Sequence, residues 1–322
     1  MKKLLSLLLL SFGLATLSFG QDSYGQEFWI AAPSNATPAV AEVYITAQST
    51  ATVTVAMPGL TFTTTITVNA GTLQKVTLPT GHQISGSGTS NLGIHITSNV
   101  DITVYLMNER AFSTDAYLAL PVDALGVDYR ALSYAPSIPT YPSQLTVVAT
   151  ENGTTISINS GSSISLSEGQ VYQLSSGSID YTGYTVTSNK PIAVFTSIVA
   201  VNIPGAIFAA DHIVEQMPPT TAWGTSFIAT SLATRTGGDI FRFLANDNAT
   251  QVSVNGSVVA TLAAGQFYQT SLASGGIYHI TSNNPILVGQ YAKGQSADGV
   301  VADPLFALVP PDDQFLTNYI IS

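Results

Sequence analysis

The residues best placed to do chemistry lie in three segments that resemble one another: Asp115 to Pro121, Asp211 to Pro218 and Asp303 to Pro310. The first two lead into the second and third copies of a repeat, and all three are called lead-in segments below. The second is the densest, with Asp211 beside His212 and Glu215 three residues further on. A carboxylate next to an imidazole can orient a general base or complete a metal shell. Asp211 with Glu215 is also the pair that a carbohydrate-active enzyme would set across a cleft. Against catalysis, the aspartate recurs at Asp115 and Asp303 with Ala116 and Pro304 after it. A residue that recurs without its imidazole reads as structural, fixing a loop through hydrogen bonds. Trp223, like Trp29, stands where a copy opens and reads as a core anchor.

Other chemistries lack their residues. The chain has no cysteine, so it forms no disulfide, thiol nucleophile or thiolate metal site. It has no Gly-x-Ser-x-Gly pentad of the nucleophile-elbow type. His82, His95, His212 and His279 are too scattered for a paired zinc motif. Asp247-Asn248 and Asp312-Asp313 offer oxygen ligands without a calcium-binding loop pattern, so no cofactor is expected and calcium is the one metal left open. For binding, Tyr134, Tyr141 and Tyr181 lie in stretches that contain Pro or Gly and are expected on surface loops, where rings give contact area at low entropic cost.

Nineteen acidic residues stand against nine basic ones, a formal charge of −10, which leaves almost nothing with which to track phosphates and excludes nucleic acid as a partner. Lys2 and Lys3, the apolar run from Leu4 and the small Ser18 and Gly20 have the order of a secretory signal peptide over residues 1–20. Its removal would leave seven basic residues, a charge near −12, on a chain that is secreted or exposed at the cell surface. Residues 191–210 are apolar and long enough to cross a bilayer, but Pro191, Pro204 and Gly205 interrupt them and the repeat pattern makes their first half a strand.

The elements that carry these residues repeat. Thr97-Ser98-Asn99 returns at Thr187-Ser188-Asn189 and Thr281-Ser282-Asn283, each followed by alternating apolar residues, which predicts a turn and then a strand. Upstream, Gly71, Gly169 and Gly265 interrupt apolar runs and are expected at turns of positive φ. Further upstream, Val43 to Ala47, Thr146 to Ala149 and Phe241 to Ala245 each precede a second alternating run and predict hairpins. Gly25 with Phe28, Gly126 with Tyr129 and Gly224 with Phe227 open the copies. The pattern predicts an all-β chain of three tandem antiparallel β-sandwich-like repeats of about 95 residues, packed together. The repeats are placed at 21–123, 124–220 and 221–322, the last including the start of a further lead-in segment.

Several of these motifs, in order, resemble the amino-terminal domain family of the IgG Fc-binding protein. They are Asp115-Ala116-Tyr117-Leu118-Ala119-Leu120-Pro121, Leu125-Gly126-Val127-Asp128-Tyr129-Arg130, Ala149-Thr150-Glu151-Asn152-Gly153-Thr154, Asp211 to Pro219, Trp223-Gly224 and Gln290-Tyr291. The resemblance runs from about Gly25 to the end. It implies an exported recognition or adhesion module of the bacterial type, with an extracellular protein or a neutral glycan as partner and immunoglobulin Fc as one candidate. Four sequons, at Asn35, Asn152, Asn248 and Asn255, are expected to be unmodified, since so Thr- and Ser-rich a chain makes them by chance.

Overall fold

The computed structural model describes residues 23–37 and 39–315. The stretch read as a signal peptide lies outside the described residues, as does Tyr319-Ile320-Ile321. The chain is all-β, in three curled antiparallel sheets of similar design.

The first sheet contains β1 (Gly25–Ile30), β2 (Val40–Ala47), β3 (Ala51–Met57), β4 (Phe62–Val68), β5 (Leu73–Thr77), β7 (Ile94–Arg110) and β8 (Ser113–Leu118), whereas the short β6 (Gly88–Ser90) joins the second sheet by pairing with β13 (Val171–Ser176). β3 shows why such a sequence forms strands: Ala51, Val53, Val55 and Met57 alternate with threonines and alanine, and every one of the four is buried. The second sheet is built from β9 (Gly126–Arg130), β10 (Ser143–Ala149), β11 (Thr154–Ile158), β12 (Ile164–Leu166), β13, β14 (Thr185–Val201) and β15 (Asp211–Met217). The third has β16 (Gly224–Thr230), β17 (Asp239–Ala245), β18 (Thr250–Val254), β19 (Ser257–Leu262), β20 (Phe267–Leu272), β21 (Ile277–Tyr291) and β22 (Phe306–Val309). The last of the three lead-in segments thus carries β22, which pairs with β21.

Each sheet hangs on one long strand, of 17, 17 and 15 residues. The first half of β7 pairs with β1 and β3, and its second half with β2 and β8. One strand therefore serves two halves that fold toward each other, and β14 and β21 repeat the arrangement.

This corrects two expectations. The Thr-Ser-Asn markers are not turns before strands; they lie inside the long strands, where the pairing shifts register and the strand bends. Nor are β2 and β3 a hairpin: both pair with β7, so their connection arches from one half of the sheet to the other. The marker asparagines hold that arch. The amides of Thr52, Thr155 and Gln251 donate to Oδ1 of Asn99, Asn189 and Asn283, at 2.7 Å in all three copies.

Gly71, Gly169 and Gly265 take φ of 70°, 71° and 79°, as turns of this kind require. The opening glycines have a different reason. A Cβ on Gly25, Gly126 or Gly224 would stand within 2.6 Å of Pro121, Pro219 or Pro311, so each sheet's first strand packs directly on the proline that follows its last strand. The aromatics that follow them, Phe28, Tyr129 and Phe227, are buried.

Candidate functional site

The lead-in strands β8, β15 and β22 meet where the three sheets converge. Asp115, on β8, is a junction between them: its carboxylate accepts the amides of Ala116 (2.9 Å) and of Val214 on β15 (3.0 Å) and lies near the amide of Phe306 on β22. Burial pushes the Asp115 carboxyl up to about 8 despite these donors. Glu215 accepts the amide of Leu308 at 3.3 Å, and burial with the Asp115 charge nearby holds its carboxyl well above the usual range. It stands in the wall of a largely apolar cavity of about 240 Å³, lined also by Trp223, Phe227 and Leu308. Asp211 accepts the amide of His212 at 2.7 Å, and burial raises it to about 6.

His212 does not pair with a carboxylate. Its Nδ1 lies 2.8 Å from the carbonyl of Ile198 and so carries the proton, while complete burial lowers its pKa to about 4. Asp115, Asp211 and Glu215 are spent on backbone amides, which is the use of a structural residue and not of an acid–base pair. The expected equivalence of the three aspartates is also corrected. Counting from the Val104–Ala119, Val194–Met217 and Val288–Val309 pairs, Asp115 matches Ile213, whereas Asp211 matches Ser113. The likeness slips by two residues between the first segment and the second, whereas Asp303 keeps the register of Asp211. Asp303 is exposed, and Trp223 is buried with its Nε1 donating to the Pro218 carbonyl at 3.4 Å. Among the described residues no group of three or more His, Asp or Glu could hold a metal ion.

Two of the three tyrosines expected on surface loops are buried, Tyr134 at 5% and Tyr181 at 2% exposure. Their loops look open in sequence because Pro and Gly mark them, but side chains of the third sheet cover Tyr134, and Tyr181 packs edge-on against Tyr184 of its own repeat. Arg242 of the third sheet reaches into the second, its guanidinium 4.2 Å from the Tyr134 ring, 4.4 Å from Phe267 and 5.8 Å from Tyr291. There it donates to Asp180 at 2.8 Å and to the Ser133 carbonyl at 2.7 Å.

Tyr141 is half-buried and lines a cleft of about 910 Å³ between the first two repeats. Arg110, His82, Gln83 and Asn35 share that wall. The His82 Nδ1 faces the Pro79 carbonyl at 2.9 Å and so bears the proton; burial lowers the ring's pKa and keeps it neutral. Nε2 of His82 and Nε2 of Gln83, one an acceptor and one a donor, have no protein partner. Such a wall presents polar groups, and the one hydrogen bond of the His82 ring goes to a backbone carbonyl and not to a hydroxyl of the cleft. Of the three tyrosines singled out in the sequence only Tyr141 lines this cleft; Arg110 and His82, which no spacing links to it, reach it through the closure of two repeats.

Known proteins match this chain. The family model described as "IgGFc binding protein" matches residues 115–322. The human protein named "IgGFc-binding protein" is 24% identical over 271 residues, 79% of this chain and 5% of its own length, so the chain spans a small fraction of that relative. Two solved structures align over most of the chain: an "anti-sigma factor domain-containing protein" (9% identity, 90% of this chain and 83% of its own, TM-score 0.17) and a Clostridium clariflavum protein of the same description (11% identity, 88% and 81%, TM-score 0.17). With more than half its length matched by one family model, the chain belongs to the IgG Fc-binding protein family.

Proposed function

We propose that the protein is an exported recognition or adhesion module that binds a protein or a neutral glycan outside the cell or at its surface. The observation that carries this reading is the cleft between the first two repeats, which combines the Tyr141 ring with polar side chains and the Arg110 guanidinium. The order of residues 1–20 supports export. No helix among the described residues is long and apolar enough to cross a membrane. Immunoglobulin Fc is one candidate ligand because the human relative is named for it.

The test is titration of the chain from Gln21 onward against Fc and an array of neutral glycans. Binding is expected to weaken at least about tenfold in Tyr141→Ala, the range of an interface anchor. Affinity that Tyr141→Ala and Arg110→Ala leave unchanged would remove the cleft from the mechanism.

A further inference from the structure

Each long strand is followed by a connection to its lead-in strand, and these connections occupy the same place in the three sheets. They are residues 111–112 between β7 and β8, 202–210 between β14 and β15, and 292–305 between β21 and β22. The lead-in strands start at one end of the molecule, because their contacts rise in step. The His212 amide donates to the Ser113 hydroxyl at 3.0 Å, the Val214 amide to Asp115 at 3.0 Å, and the Leu308 amide to Glu215 at 3.3 Å. The connections therefore form one rim. The second and third touch directly, through Gly294 N to the Ile203 carbonyl (2.9 Å) and Ser296 N to the Phe208 carbonyl (3.2 Å).

Each connection holds one apolar side chain out in solvent: Phe112 at 96% exposure, Phe208 at 72% and Val301 at 92%. Apart from Ile277 at 71%, no other large apolar side chain among the described residues exceeds 61%. Exposed apolar residues scattered singly are ordinary; one in each of three corresponding connections on a shared rim is a pattern. The rim is also braced. Phe112 is held at φ 65°, a conformation that aromatic residues rarely adopt. In the third connection, Asp298 accepts from Arg235 at 2.9 Å and from the amides of Thr236 and Gly237, with both side chains of the pair buried.

Charge identifies the occupant. Lys75, Lys190, Arg235 and Arg242 are paired with Glu42, Glu151, Asp298 and Asp180, and Arg130 is bonded to Asn246 and to the Gly183 carbonyl. The remaining cations of the described residues are Arg110, at the foot of the first connection, and Lys293, in the third; neither forms an ion pair with an acid, and Lys293 donates to the Gly237 carbonyl at 2.8 Å. On a chain with a formal charge of −10, Arg110 is the cation among the described residues whose guanidinium has neither an acid nor a carbonyl or amide oxygen as partner, and it stands at the rim.

We propose that this three-loop rim is a protein-docking surface that takes an apolar segment flanked by carboxylates on a partner protein. Arg110, with Phe112 two residues away and Tyr141 across the cleft, forms its anchor, the residue types that dominate protein interfaces. The proposal rests on reading the chain as a recognition module and adds the surface and the chemistry of the partner.

The experiment pans a phage-displayed library of random 12-residue peptides against the chain from Gln21 onward. Enriched peptides are expected to combine Asp or Glu with large apolar residues. As synthetic peptides they should bind at least about tenfold more weakly to the triple variant Phe112→Ser, Phe208→Ser, Val301→Ser, whose thermal midpoint should match the wild type. Ile277→Ser, exposed but off the rim, should bind as the wild type does. Arg110→Glu should weaken acidic peptides and strengthen their Asp→Lys counterparts. An absence of enriched peptides, or peptides that the triple variant binds unchanged, would overturn the rim. Peptides that bind the triple variant as tightly as the wild type, together with glycan or Fc binding that Tyr141→Ala abolishes, would overturn the rim while leaving the recognition reading standing. Peptide binding at the rim with neither Fc nor glycan binding would do the reverse to the cleft.

Discussion

The amide of Val214 donates to the carboxylate of Asp115 across the boundary between the first and second sheets, at 3.0 Å. The junction is acidic, buried and without a basic partner, and this gives the protein a definite response to pH.

Stability should fall as pH rises from 6.5 to 8.5. The folded carboxyl of Asp115 titrates near 8, against about 4 in an unfolded chain, so its contribution is fully present below about pH 4 and is lost as pH rises through 8. Glu215 acts in the same direction. His212 and His82 have lowered values and act in the opposite sense, but only below about pH 6.5. The slope is about 1.4 kcal/mol per pH unit for each such acid, so the thermal midpoint should drop by roughly 4 °C or more over this range. Asp115→Asn should flatten the profile, and calorimetry at four pH values decides it.

The tyrosines should separate into two kinds. Tyr134→Ala and Tyr181→Ala each remove a buried ring and should cost roughly 3–5 kcal/mol. Tyr141→Ala should change stability by less than about 1 kcal/mol. Urea unfolding of the three variants tests this, and equal losses would contradict the burial described.

Arg242→Lys should not rescue the second–third repeat junction. A lysine keeps the charge but cannot lie flat between Tyr134 and Phe267 while reaching both Asp180 and the Ser133 carbonyl. The expected loss is about 3 kcal/mol by chemical denaturation, in the range for a broken buried pair.

Asn99→Ala, Asn189→Ala and Asn283→Ala should each cost about 1–2 kcal/mol, because all three accept an equivalent amide at the same length, and Asn189 and Asn283 also donate to the Gly153 and Ala249 carbonyls. A loss confined to one of them would mean that the copies are not mechanically equivalent.

The sequon at Asn35 should carry no glycan even in a host that glycosylates. Asn35 is 2% exposed, and its Nδ2 donates to the Ser113 carbonyl at 2.9 Å. Intact mass after expression in such a host, with Asn152 as the exposed comparison, checks this.

The repeats were legible because each copy keeps a few residues that the backbone demands: a positive-φ glycine, an opening glycine against a proline, an asparagine that receives an amide. Strand order was not. A bend inside a long strand and a turn between two short ones both interrupt alternation with polar residues, so Thr187-Ser188-Asn189 reads the same either way. Burial between repeats was hidden for a related reason. The loop of Tyr134 looks exposed until a residue 108 positions later, Arg242, closes over it. The two-residue slip between Asp115 and Asp211 escaped notice because likeness of letters carries no register.

The long bent strands also fix an order of events during synthesis. β3 and β4 pair locally, and so do β2 and β5, but β1 has no partner and the two halves no shared edge until β7 arrives. The first sheet therefore cannot close before residue 110 is available, and it gains its last strand only at Leu118. Contacts so distant in sequence make closure slow relative to local pairing. About seventy residues of the first unit, and between fifty and sixty of each of the others, thus wait, incompletely paired, for a single strand.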